Sequence, residues 1–305
     1  MRSLLLVLAL WVPAHGGWAE ITPEAAPPLP DVSLPFPVGE TLRYTIYWGW
    51  IAVGESVATT EWVQVEGDWL LLIQFQTRSN GVLSKLYPVD DLVQSWVDPE
   101  TLRPMILRME LSQGDRTRDE TTRFDWERLQ AEYVRVREDR EDEVKTYEIP
   151  PGVRDIVSFM YFLRKATFEP KTSYDYKVMS DEKVYDLTIN TDKEQSVKLD
   201  AYGKVPSLRM EPLAEFDGAI IRRGKMKVWL TTEGRQVISK IWVDTPFANV
   251  RLLLKSVEGP GADGLADRGT RTGDEISAVD RRPVIRFPSS RSCALLSPAV
   301  PQDLW

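Results

Sequence analysis

The sequence holds one histidine, one cysteine and, past its first residues, no long apolar run, and each shortage excludes a class of function. The histidine is His15 and the cysteine is Cys293, near opposite ends of the 305 residues. Without imidazole in the body of the chain, Ser-His-Asp and Cys-His relays and most zinc sites are excluded. A single thiol closes no internal disulfide, so the core must hold by burial and hydrogen bonding alone. Basic residues are also in deficit: 38 Lys and Arg against 46 Asp and Glu give a net charge of -8. That balance argues against nucleic acid as a partner and against loose adsorption to anionic lipid. It serves solubility.

The chain begins with Arg2, the apolar run Leu4 to Val12, Pro13 and small residues ending in Gly17-Trp18-Ala19. This pattern reads as a secretory signal peptide over residues 1–19, cut after Ala19. The run is too short for a permanent membrane anchor, and no cysteine follows the cut to carry a lipid. Cleavage removes His15 together with Arg2 and no acid, so the mature chain has no imidazole and is one charge more negative. A periplasmic or secreted protein with no transmembrane segment in its mature form is expected. Residues 20–37, rich in Pro and Ala, are expected as an extended leader. Residues 38–257 have the composition of a single folded domain, and residues 258–305 that of a disordered tail.

Within the body, apolar residues alternate with polar ones at period two, which marks half-buried strands. Leu42, Tyr44, Ile46 and Trp48 share one face, as do Leu107, Met109 and Leu111, then Glu120, Thr122, Phe124 and Trp126. Val197 and Leu199, Met226, Val228 and Leu230, and Val250, Leu252 and Leu254 complete the series, with Trp229 interrupting a polar face. Turns are expected at Glu66-Gly67-Asp68, Asp98-Pro99-Glu100, Gln113-Gly114-Asp115, Asn190-Thr191-Asp192 and Glu233-Gly234-Arg235. One segment departs from this rhythm. Ile156, Phe159, Met160 and Leu163 recur at helical spacing behind Pro150-Pro151-Gly152, with Asp155 as the N-cap. The expected fold is mainly β: an antiparallel curved sheet or open β-barrel with one helix packed against it, about seven strands before the helix and six after.

The stretches "FPVGETLRYTIYWGWIAVGESV", "RDIVSFMYFLR" and "GKMKVWLTTEGRQVISKIWVDTPFANVRLLL" resemble a bacterial family known as domain of unknown function 3108. The resemblance covers roughly residues 36 to 257. It rests on Gly39-Glu40-x-Leu42-x-Tyr44, on Trp48 with Gly54, on Asp155-Ile156-x-Ser158 with Tyr161 and Arg164, and on Val228-Trp229-Leu230. It implies an exported β-rich protein and, by looser analogy, a curved sheet around a helix, similar to periplasmic carriers that hold an acyl chain in an open barrel. It brings no catalytic residues.

Serine-lysine chemistry has only Ser84 with Lys85, or Ser158 near Lys165, in spacings that fit no recognised pattern. The paired acids Asp90-Asp91 suit a glycan hydrolase only if both reach one substrate, and a solvated turn is the simpler reading. Gly259, Gly261 and Gly264 spell a dinucleotide motif outside the strand–helix context that it needs. Arg137 to Lys145 mixes both charge signs, as a solvated hairpin or edge strand does. No metal or cofactor is expected. Aromatics remain: Trp48 and Trp50 share strand parity with Tyr44 and Ile46, and a helix carrying Phe159 and Leu163 could cover that concavity. Those six are the expected ligand-binding residues. The expected function is non-enzymatic binding or carriage of an apolar or amphipathic envelope component, such as a lipid. The alternatives are a scaffold acting on an envelope protein partner, or a carboxylate-dependent glycan hydrolase.

Overall fold

A computed structural model describes residues 29–265 except 82, 86, 181, 217–218, 221–225 and 246–248. The expected signal peptide, Cys293, the first half of the leader and most of the tail lie outside the described residues.

Before the helix, eight strands follow one another as antiparallel neighbours: β1 (Thr41–Trp48), β2 (Ile51–Val65), β3 (Asp68–Ser79), β4 (Asp90–Val97), β5 (Pro104–Gln113), β6 (Arg116–Asp125), β7 (Gln130–Arg135) and β8 (Glu143–Glu148). The two-residue β9 (Arg154–Asp155) leads into α1 (Ile156–Leu163). Then come β10 (Ser173–Ser180), β11 (Lys183–Leu199), β12 (Gly203–Phe216), β13 (Ala219–Ile220), β14 (Met226–Thr231), β15 (Ile238–Asp244) and β16 (Asn249–Glu258). All sixteen belong to one sheet, in the order β8-β7-β6-β5-β4-β3-β2-β1-β16-β15-β14-β12-β11-β10-β9, with β13 beside β12. The first and last strands therefore pair at its centre, and the middle of the chain supplies both edges.

The sheet is open: among the described residues no ladder joins its two edges. Side chains bridge them. Glu182, in the β10–β11 turn, accepts hydrogen bonds from Lys145 Nζ at 2.6 Å and from the Tyr147 hydroxyl at 3.1 Å, both on β8. The mixed-charge run is thus the β7–β8 loop and the start of an edge strand, as its composition requires.

Asp155 starts the helix. One of its carboxylate oxygens accepts from the backbone N–H groups of Val157 and Ser158 at 2.7 and 2.8 Å, which satisfies two donors that the first turn leaves free. The other accepts from Ser95 Oγ at 2.6 Å and so fastens the helix start to β4. From there the helix serves two apolar clusters. Val157 and Tyr161 pack with Leu71, Ile73, Val97, Leu107 and Phe124, whereas Phe159 and Leu163 pack with Val178, Ile189, Leu208, Met210 and Leu230. Each half of the sheet buries its apolar face against one side of the helix.

Several expectations need correction. No turn interrupts Asn190-Thr191-Asp192: β11 runs through it, with a register shift against β12 between Thr191 and Glu194. Thr191 makes this bulge tolerable, because its N–H donates to Thr172 O and its hydroxyl to Glu169 O, so the displaced backbone keeps its partners. Asp90 and Asp91 lie in β4, not in a turn. The expected leader contributes to the core, where Phe36 is 3% exposed and Leu34 packs beside it. At the other end of the domain the chain stays packed past Glu258. A Cβ on Gly259 would lie 2.6 Å from Gly39 O, and Leu265 packs against a third apolar cluster that includes Leu42, Leu199, Leu254 and Val257.

Truncation of Phe36 tests whether its segment belongs to the fold. Phe36→Ala should cost about 3–4 kcal/mol in urea unfolding, since it removes a buried ring that meets Tyr161 edge-on at 4.8 Å. A loosely attached leader would lose almost nothing.

Candidate functional site

The interior holds charge as well as apolar surface. Glu40, fully buried just ahead of β1, receives both terminal nitrogens of Arg164, the residue that caps the end of α1. The contact to Glu40 Oε2 is 3.0 Å, and Arg164 Nε donates to Gln236 O at 2.7 Å. The guanidinium lies 4.8 Å from the Phe36 ring centre and 5.0 Å from that of Tyr161. A fork of five donors suits such a site, because two parallel bonds to a carboxylate and one to a carbonyl satisfy most of the charge without water. Arg235 adds a weaker contact to Glu40, at 3.6 Å.

Beside this pair a cavity of about 30 Å³ separates the helix from the sheet, lined by Tyr44, Phe75, Met160, Tyr161, Ile241 and Leu252 among others. It has room for one or two waters, against roughly 300–1,000 Å³ for a pocket that takes a small organic ligand. The Tyr161 hydroxyl is buried there without a hydrogen-bond partner. Burial pushes the Tyr44 and Tyr161 hydroxyls well above the ordinary phenol range.

The six expected ligand-binding residues separate. Tyr44 is 5% exposed and lines the cavity, and Ile46 is half-buried farther along β1. Trp48 is 46% exposed at the end of β1. Trp50 is 85% exposed, because Gly49, at φ 59°, turns the chain before the alternation can reach it. The helix itself sets this limit: eight residues give about 12 Å, whereas the eight of β1 extend for about 26 Å. Phe159 and Leu163 are buried, but against β10–β14 rather than against β1.

The other candidates are similarly dispersed. Asp90 accepts from Gln76 and Arg78 on β3, while Asp91 accepts from Ser112 N and Gln113 on β5, so the two carboxylates do not converge. Ser84 bonds to Ser79 and Asn80. Ser158 bonds to Asp155 O while Lys165 reaches Glu100 O, which leaves no serine-lysine pair.

What the structure does unite is part of the set of residues that carried the family resemblance. Glu40 and Tyr44 from its opening stretch meet Tyr161 and Arg164 from its midpoint, across 124 positions of chain between Glu40 and Arg164. The family model described as "Protein of unknown function (DUF3108)" matches residues 43–255. The chain belongs to this DUF3108 family. A solved structure similar to this DUF3108 chain is that of the β-barrel-like protein of domain of unknown function DUF1849 from Brucella abortus. It is 13% identical, with a TM-score of 0.47, and the match covers 74% of this chain and 98% of that one. No curated protein matches the chain.

Two outcomes follow from the buried charges. Arg164→Met or Glu40→Leu alone should lower unfolding free energy by about 3–5 kcal/mol, whereas the two combined should recover a large part of the loss, since each single change strands a buried charge. Additive losses in that double-mutant cycle would contradict the pairing.

Burial raises the Asp155 carboxyl above its ordinary value of 3.8, with the Ser95, Ser158 and Val157 bonds pulling it down. The folded state therefore binds this proton more tightly than the unfolded state. The corresponding stability is fully present below 3.8 and is lost as pH rises through the higher folded value. Asp155→Asn keeps an oxygen for the cap and never ionises. Urea unfolding from about pH 3 to about pH 7 should show the difference in stability moving steadily in the variant's favour.

Proposed function

We propose that this is an exported, non-enzymatic envelope protein that acts through its surface, as a scaffold or assembly factor for protein partners, rather than by carrying an apolar cargo. One observation carries the reading: the helix and two apolar clusters fill the sheet, and the cavity between them is about 30 Å³. An acyl chain needs a far larger space than that. The open edge supports the same reading. β8 ends the strand order, with no further strand paired to it among the described residues, and Val144 on it is 59% exposed beside the mixed-charge β7–β8 loop. Strand addition to such an edge is a common mode of recognition. Export is supported by the amino-terminal pattern ending at Ala19.

The test pairs two measurements. A photo-crosslinking residue at Val144 should capture the same envelope protein in repeated experiments in living cells, and the same residue placed at Lys198, away from that edge, should not. Solvent extraction of purified protein should yield less than one lipid per chain, with no binding of an environment-sensitive fatty-acid probe. Stoichiometric lipid, together with probe binding lost on Tyr44→Trp, would replace the scaffold reading with the carrier reading.

A further inference from the structure

The face of β14–β16 turned away from the helix carries a cluster of cations, and Asp244, an acid on the same face, stands at the far end of β15. In the strand register Trp229 lies opposite Lys240 and Lys240 opposite Leu253, while Lys227 lies opposite Trp242 and Trp242 opposite Arg251. Alternation puts all of these on one face and Ile241 and Leu252, which line the interior cavity, on the other. Past its bulge, β11 lies across this face. Gln195 accepts from Trp229 Nε1 at 3.2 Å, which explains why Trp229, on a face the sequence pattern marks as polar, is only 6% exposed. Between the crossing strand and the face is a cleft of about 250 Å³, lined by Ser196, Lys198, Trp229, Lys240, Arg251 and Leu253 among others.

The charges in this cleft are uncompensated. Lys240 is held between two indoles, 4.3 Å from the Trp229 ring centre and 4.9 Å from that of Trp242, and it makes no ion pair among the described residues. Burial lowers its affinity for a proton, and repulsion from Arg251 and Lys227 lowers it further. Arg251 gives one nitrogen to Gly49 O and keeps its Nε buried without a partner. The nearby acid, Asp244, is engaged at the end of β15 by Trp242 Nε1 at 2.7 Å. In a protein of net charge -8, carboxylates are plentiful, yet among the described residues none lines this cleft. Partly buried cations normally have a counter-charge.

We propose that this cleft is an anion site that takes a phosphate-bearing group of modest size, with Lys198, Lys240 and Arg251 supplying the positive charge and Trp229 forming one wall. Its volume suits a small phosphate ester or the headgroup of a phospholipid, not a whole lipid. This goes beyond the scaffold reading, which stands or falls separately on its crosslinks.

Full-length mature protein should bind sn-glycerol 3-phosphate in a calorimetric titration, or float with phosphatidylglycerol vesicles and not with phosphatidylcholine vesicles. The first result identifies a soluble ester as the source of the phosphate, the second a lipid headgroup. In either case Lys240→Gln should weaken binding about tenfold or more, the loss expected for one hydrogen bond to a charged group. Lys177→Gln, which removes an equal charge from a remote surface pair with Asp186, should leave binding unchanged. Without ligand, Lys240→Gln should melt no lower than wild type, because it removes a desolvated, unpaired charge. The proposal is overturned if neither probe binds, or if the two variants weaken binding equally, which would mean that net charge alone is responsible.

Discussion

An arginine at the end of an apolar helix cannot be buried alone, and the architecture is arranged around that requirement. Arg164 needs a carboxylate inside the protein. The one it meets stands at the first turn of the folded domain, just ahead of β1. Satisfying it brings the start of the domain to the end of its helix, and Phe36 comes with it as the ring that covers the guanidinium. Around this pair the two halves of the sheet take opposite sides of the helix, and Asp155 ties the other helix end to β4. A buried ion pair need add little net stability. Here its role is positional, because it admits one register between residues far apart in the chain.

Much of the fold could be read from the sequence. Period-two alternation placed Leu42 and Tyr44, Glu120 and Phe124, and Val197 and Leu199 on buried faces, and Asp155 before helical spacing located the helix. Two features escaped for physical reasons. A bulge and a turn draw on the same residue types, so Asn190-Thr191-Asp192 reads as either, and only the hydroxyl of Thr191 with its two carbonyl partners decides. The packing of Phe36 was hidden by its prolines, which suit a loose leader equally well.

The candidate sites were less legible, because they depend on strands that meet only in three dimensions. Trp48 and Trp50 have the parity of a lining stripe, but parity carries no information about where a strand outruns the helix. The partnership of Glu40 with Arg164 had a usable clue: Glu40 follows eight uncharged residues, and Arg164 ends the apolar run from Ile156 to Leu163. The cationic cleft had a fainter one. Lys227, Trp229, Lys240, Trp242 and Arg251 alternate cations with indoles on three strands, a pattern visible only once the register between those strands is known.

The pairing of β1 with β16 also bears on how the molecule forms. Hairpins such as β2–β3 can close as soon as both strands have been made, but β1 has only one neighbour until the last strand exists. Bringing residues 41–48 to 249–258 closes a loop of some two hundred residues, and such non-local contacts are paid for in chain entropy before they return any stability. The centre of the sheet is therefore the last part to be completed. Until then two long strand edges stay exposed in the middle of an unfinished protein, and Arg43, the one charge on β1, lies where it discourages a wrong partner.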